Sequence, residues 1–319
     1  MRFIITKDHE ELSNVMAQLM LKHMHSDRQR VNISITTGET PVRGYQILAE
    51  QTKGKAYFNH VHYYIFDEFW YKGDAKGICR ASLDYKYFEL ADVAEDHIHN
   101  LDESNADTFD KDVQQVGGLD MVIMGVGSNG HFCGNQPGTF DNWNTGTHRI
   151  DRHATPLVEE LLLQLLKEDL HSEDTARIPD HYISMGPKTV MAAKSIIFLM
   201  SGEQKAEAVK RAFFGPISED FPVSIFQLHP DVTVVLDEAA AGKIKELLSC
   251  CVYTAVNRTV NISRIPGAIS FITYPQSSVV YFRYCTGLGL LGLHFVALHW
   301  GCRYRFGWLS QQAVCCWCC

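Results

Sequence analysis

His131 stands in the stretch GVGSNGHFCGNQPG, Gly125 to Gly138, where five glycines crowd fourteen residues behind the apolar run LDMVIM. The spacing Gly125-x-Gly127-x-x-Gly130 is that of a dinucleotide turn. Such a turn needs a helix opening at the third glycine and an acidic residue about twenty positions on. Here Gly130 leads into HFCGNQPG, whose Gly134, Pro137 and Gly138 do not sustain a helix. A turn that presents His131 at the C-terminal edge of a buried strand suits these residues better. Histidine is the side chain matched to proton transfer near neutral pH.

Three other stretches carry complementary chemistry. TTGETP, Thr36 to Pro41, follows the strand-like VNISI, with Thr40 placed to cap a helix and Pro41 at its first position. Free N–H groups at a helix start, flanked by hydroxyls, make an anion site, although a plain capped turn has the same pattern. FDEFW ends the run HVHYYIF and sets Asp67 and Glu68 side by side, one expected to face a cleft and the other solvent. SGEQKAEAV follows SIIFLM and puts Lys205 in the first turn of a helix, a poor place for a cation unless it meets an anion. The pairs His60/His62 and His97/His99 put both rings on one strand face, but no third ligand shares their register, so no metal site is expected. An anion cradle, a lysine, a carboxylate and a histidine amount to proton transfer on a phosphorylated small molecule, with no GxSxG nucleophile and no cofactor.

The elements that position these groups alternate. Apolar runs at Phe3–Ile5, Val31–Thr36, Val61–Phe66, Leu119–Met124, Ser195–Met200 and Val232–Leu236 are separated by helical patterns such as Leu12–Met24, Val42–Gln51, Leu83–Leu90 and Gln204–Phe213. Unbroken runs such as MVIM and IIFLM indicate strands covered on both faces. The whole reads as an α/β chain with a doubly wound, mostly parallel, Rossmann-like sheet. Each candidate group then sits at a strand C-terminus, where such sheets bind ligands.

With 46% hydrophobic and 21% charged residues the chain is globular in composition, and a formal charge of −8 argues against nucleic-acid and anionic-membrane partners. The start MRFIITKDHEE is too short in apolar residues for a signal peptide, and only Cys79 and Cys133 occur before residue 249, so a reducing, cytoplasmic setting is expected. Beyond Glu246 the character changes: no Asp, Glu or Lys follows, while eight of the ten cysteines do. The apolar run Thr286–Trp300 is too short to span a membrane, and no matched CxxC pairs mark a metal module. Residues 1–248 are therefore expected to form the functional domain, and 249–319 an appended tail, read as out-of-frame sequence.

In order and spacing, TTGETP, FDEFW, GVGSNGHFCGNQPG, SGEQKA and SIFQLHP resemble the glucosamine-6-phosphate deaminase (isomerase) family. That family shares its fold with the 6-phosphogluconolactonases, and the likeness is closest to the branch whose loop reads GHFCGN. The resemblance covers about residues 1–245 and implies a phosphorylated sugar as the partner molecule, while leaving room for a homo-oligomer. Asp67 then corresponds to the carboxylate that moves a proton between C2 and C1 of the open sugar, and His131 to the ring-opening histidine. Thr37, Gly38, Thr40 and Lys205 correspond to the phosphate site. Asn129 stands where many members carry Asp, and Gln136 where deaminases read Glu as a partner of the histidine. Arg177 is no clear counterpart of the family's phosphate-binding arginine. These departures imply reduced activity. Lactone hydrolysis, with His131 activating water, and binding of a sugar phosphate with weak turnover are the alternatives.

Overall fold

Runs without a polar break become the interior of one sheet. The computed structural model describes residues 1–249 and three short segments beyond them, Thr259–Asn261, Val279–Phe282 and His294–Ala297. Strands β1 (Arg2–Thr6), β2 (Val31–Ile35), β3 (Val61–Ile65), β4 (Asp67–Glu68), β5 (Ile98–His99) and β6 (Met121–Met124) come from the first half of the domain. They are followed by β7 (His148–Asp151), β8 (His181–Ser184), β9 (Ile196–Met200), β10 (Val232–Asp237) and β11 (Thr259–Asn261). Every residue of β2, β6, β9 and β10 is buried, as expected for strands covered on both faces.

The main sheet runs β11-β1-β10-β9-β6-β2-β3-β5, parallel throughout except where β11 pairs antiparallel with β1. From β2 the chain builds outward through β3 to β5. From β6 it turns back through β9 and β10 toward β1. The reversal between neighbours β2 and β6 opens a crevice at their C-terminal ends, the place where open α/β sheets bind ligands. A second, antiparallel sheet, β4-β8-β7, stands at that same end, because β4 continues almost directly from β3.

The α-helices of the described residues are α1 (His9–Met24), α2 (Val42–Thr52), α3 (Ile78–Leu83), α4 (Glu89–Ala91), α5 (Phe109–Gln115), α6 (Pro156–Glu168), α7 (Pro187–Met191), α8 (Ala206–Phe214) and α9 (Lys245–Ser249). In α1, Asp8 caps the start by accepting from the Glu11 N–H at 2.9 Å, and Leu12, Met16, Met20 and Met24 line its buried face at four-residue spacing. The helical pattern expected over Leu83–Leu90 belongs to a longer stretch from Ile78 to Ala91, broken by a π-turn at Asp84–Phe88. Thr40 does not cap α2. The helix opens at Val42 behind Pro41, with no side-chain cap, and this leaves the Thr40 hydroxyl out of the helix.

The chain divides into a compact unit over Met1–Asn261 and a second over Ile262–Cys319. The first therefore takes in β11, which lies past residue 248. In the second, Val279–Phe282 and His294–Ala297 pair antiparallel, and the cysteines of the tail lie outside the described residues. Among the described residues no helix is long and apolar enough to cross a membrane.

Candidate active site

A cavity of about 330 Å³ occupies the crevice. Thr36 to Thr40 reach it from the end of β2, Phe66 and Asp67 from β3 and β4, Gly125 to Gly127 and His131 from the end of β6, and Lys205 from the turn after β9. Thus the structure brings Thr37, Gly38, Thr40, Asp67, His131 and Lys205 together. Asn129 and Gln136 do not line the cavity and lie behind His131. Leu161 and Leu165 of α6 form an apolar wall, while Val158, Leu162 and Leu166 of the same helix pack into the core.

On the carboxylate side, Asp67 is buried, and loss of water pushes its pKa up to about 7. The Cys79 thiol, donating to Oδ1 at 3.5 Å, pulls it partly back. Glu68 does not face solvent as expected. Its carboxylate is buried and accepts the backbone N–H groups of Phe69 (3.0 Å), Cys79 (2.8 Å) and Arg80 (2.9 Å). Those bonds tie the start of α3 to β4 and bring the Cys79 thiol against Asp67. Gly77 permits the approach, since a Cβ there would fall within 2.1 Å of the Glu68 side chain.

The hydrogen-bond partners of His131 are neutral groups. A backbone N–H can only donate, so the His131 N–H, 3.2 Å from the Asn129 side chain, meets its Oδ1. Asn129 Nδ2 must then donate, and it does so to Gln136 Oε1 at 2.6 Å. His131 Nδ1, 2.8 Å from the same Oδ1, has to carry the proton, and Nε2 keeps its lone pair. Gln136 is thus not the direct partner of His131, because Asn129 stands between them. Burial, and next the Lys205 ammonium, push the His131 pKa down to about 4, so the ring is neutral near pH 7. Gly127 lies against this ring, and a Cβ there would come within 2.1 Å of Nδ1. Gly130 turns the chain at φ +82°. Ser184 of β8 braces the loop by accepting the Gly134 N–H at 2.9 Å, and its register opposite Asp67 links the two sides.

Between Thr36 and Thr40 the backbone is irregular. Among the described residues, none accepts a hydrogen bond from the N–H groups of Thr37, Gly38, Glu39 or Thr40. Lys205 lines the same cavity as this cradle. Its ammonium donates to the Val126 carbonyl at 2.7 Å, and burial lowers its pKa. Arg177 lies outside the cavity, paired with Asp74. His62 and His99 bond to each other at 3.0 Å, and burial beside Arg30 pushes both down to about 4. Among the described residues no group of three or more His, Cys, Asp or Glu is arranged to hold a metal ion.

Sequence reasoning missed Cys79, Glu68 as a structural anchor, and Asn129 as the bridge. Only the DE pair and the SNGH turn hinted at them.

Residues 7–155 match the family described as glucosamine-6-phosphate isomerases/6-phosphogluconolactonase. The glucosamine-6-phosphate deaminase of Shouchella clausii (strain KSM-K16) is 30% identical over 250 residues, 76% of this chain and 97% of that protein. Among solved structures, a monomeric glucosamine-6-phosphate deaminase superposes with a TM-score of 0.64 at 25% identity, over 76% of this chain and all of that one. The 6-phosphogluconolactonase of Trypanosoma cruzi shares the fold, with a TM-score of 0.58 at 18% identity over 76% of this chain and 96% of that one.

Proposed function

The chain belongs to the glucosamine-6-phosphate isomerase/6-phosphogluconolactonase family, and from that premise we propose that residues 1–248 deaminate a hexosamine 6-phosphate to the ketose 6-phosphate and ammonia. The observation that carries this reading is one cavity holding a desolvated carboxylate, a neutral imidazole, an unpaired N–H cradle and a lysine. The phosphate rests on Thr37, Gly38, Thr40 and Lys205. His131 Nε2 takes the anomeric hydroxyl proton and returns one to the ring oxygen, which opens the pyranose. Asn129 holds the required tautomer, and Gln136 holds Asn129. Asp67 then removes the proton from C2, acidified by the C1 carbonyl, to give an enolamine, and delivers a proton to C1. The resulting C2 imine adds water and expels ammonia. A base with a pKa near 7 is matched to this work at neutral pH.

The test is ammonia release from glucosamine, galactosamine and mannosamine 6-phosphates, run beside hydrolysis of 6-phosphogluconolactone. Ammonia from one of the three supports the reading. Acid release from the lactone without ammonia transfers the site to lactone hydrolysis. The observation favouring that second reading is His131, a neutral base backed by amides and free to activate water. Binding without either product leaves a sugar-phosphate binder.

A further inference from the structure

Lys86 is a buried lysine that the chemistry above does not use. It lies in the π-turn Asp84–Phe88, where Asp84, Lys86, Tyr87 and Phe88 are all buried. A π-turn is wider than an α-turn and is often found beside functional sites. Here it delivers the Lys86 side chain, 8% exposed, to the loop after β2. The ammonium donates to the Thr37 carbonyl at 2.8 Å and to Glu39 Oε1 at 2.7 Å. The Glu39 side chain itself is 86% exposed and reaches the lining of the cavity.

Two consequences follow from elementary geometry and charge. Among the described residues every peptide is trans, so the Thr37 carbonyl and the Gly38 N–H lie in one plane and point in opposite directions. An ammonium fixed on that carbonyl turns the Gly38 N–H the other way. Gly38 is a cavity residue with nothing within 4 Å of where a Cβ would stand. The second consequence concerns Glu39, the acidic member of a loop whose free N–H groups suit an anion. Unpaired, its carboxylate repels a phosphate, and paired to Lys86 it does not.

We infer that Lys86 is a positioning residue that fits the Thr36–Thr40 loop to a phosphomonoester, holding the Thr37–Gly38 peptide and neutralising Glu39. The inference rests on the phosphate reading of this cavity, but not on which reaction follows. Lys86 does not line the cavity.

The experiment is calorimetric titration of the full chain with inorganic phosphate, glucosamine 6-phosphate and glucosamine, with kcat and KM measured alongside. Lys86→Met keeps the apolar stem and removes the charge. Glucosamine 6-phosphate and phosphate should bind about tenfold to a hundredfold more weakly, the scale of one hydrogen bond to a charged group, with glucosamine unaffected. KM should rise more than kcat falls. Lys86→Arg should stay within a few-fold of the natural chain. Glu39→Gln added to Lys86→Met should recover part of the loss, which a merely misfolded variant does not do. Unchanged phosphate binding in Lys86→Met overturns the inference, as does a loss that neither Arg nor the Glu39→Gln change repairs. A natural chain that binds neither phosphate nor glucosamine 6-phosphate overturns the cavity reading and this inference with it.

Discussion

The two walls of the cavity are built on opposite electrostatic plans. Around Asp67 two carboxylates are taken out of water, one anchored by three backbone N–H groups and the other left with a thiol as its donor. The groups hydrogen-bonded to His131 carry no formal charge. An imidazole, an amide and a second amide are linked in a row. The site therefore keeps its titrating charge on one wall. Asp67 changes protonation at about pH 7, whereas His131, pushed to about 4, stays neutral across the physiological range. On the proposed reading, one wall is a tuned base and the other a fixed proton relay.

Removing the tuned base should have the largest effect. Asp67→Asn should lower ammonia release by on the order of 10² to 10⁴, the span of a general acid–base group. The same change should stabilise the fold at alkaline pH. Because the folded pKa lies above the ordinary carboxylate value, the native state holds a proton that the unfolded state has released between about pH 4 and pH 7. Native stability is then complete below that window and declines as pH rises through it, by up to about 4 kcal/mol for a shift of roughly three units. Asparagine carries no such penalty. Thermal unfolding should show Asp67→Asn above the natural chain at pH 8 and level with it at pH 4. A variant equally destabilised at both pH values would mean that the buried carboxylate is not strained.

Next in size is the pH–rate profile. In kcat/KM the acid limb should fall near pH 7 and vanish in Asp67→Asn. His131, pushed down to about 4, should contribute no limb of its own in this range. His131→Gln should reduce turnover at every pH without moving the limb. A limb that disappears with His131 instead would reverse the roles of the two walls.

The amide row offers a graded test. A carboxylate at position 129 would sit directly on the His131 Nδ1–H, while one at 136 would act across Asn129. An adjacent opposite charge favours imidazolium, and the effect weakens with separation. Asn129→Asp should therefore raise the His131 pKa more than Gln136→Glu does, and accelerate ring opening by several-fold against a smaller gain. Histidine titration by NMR, read beside ammonia release, checks the order. Equal effects, or a larger one from Gln136→Glu, would contradict the bridging place of Asn129.

Much of this is legible in the sequence. MVIM and IIFLM read as covered strands, and the TTGETP, FDEFW, GHFCGN and SGEQKA stretches each end such a strand, so a doubly wound sheet gathers them at one edge. What stayed hidden depends on contacts distant in sequence. Asp67 and Glu68 are alike in type and position. They differ because the start of α3, eleven residues on at Cys79, folds over Glu68 and donates to it. Lys86 was invisible for another reason: the π-turn breaks the 3.6-residue period by which an inward lysine would be noticed. Thr40 had the right type for a cap but one residue too many before Val42.

The smallest expected effect tests the carboxylate wall at its weakest contact. Cys79 donates to Asp67 Oδ1 through a thiol, a poor hydrogen-bond donor, and burial together with the nearby Asp67 and Glu68 carboxylates keeps that thiol protonated by pushing its pKa well up. A hydroxyl in the same place donates more strongly to the ionised carboxylate, and whatever favours the ionised form lowers the pKa. Cys79→Ser should shift the acid limb downward, and Cys79→Ala, with no donor at all, should shift it upward. About half a pH unit in each direction corresponds to roughly 0.7 kcal/mol, a reasonable difference between a weak donor and either a better one or none. Neither change touches the Cys79 backbone N–H that holds Glu68, so the start of α3 should remain in place. The order of the limbs, Ser below Cys below Ala, separates tuning from packing, because a packing defect would lower the rate in both variants without displacing the limb in opposite directions. If both variants move the limb the same way, the thiol is only a spacer and burial alone sets the base.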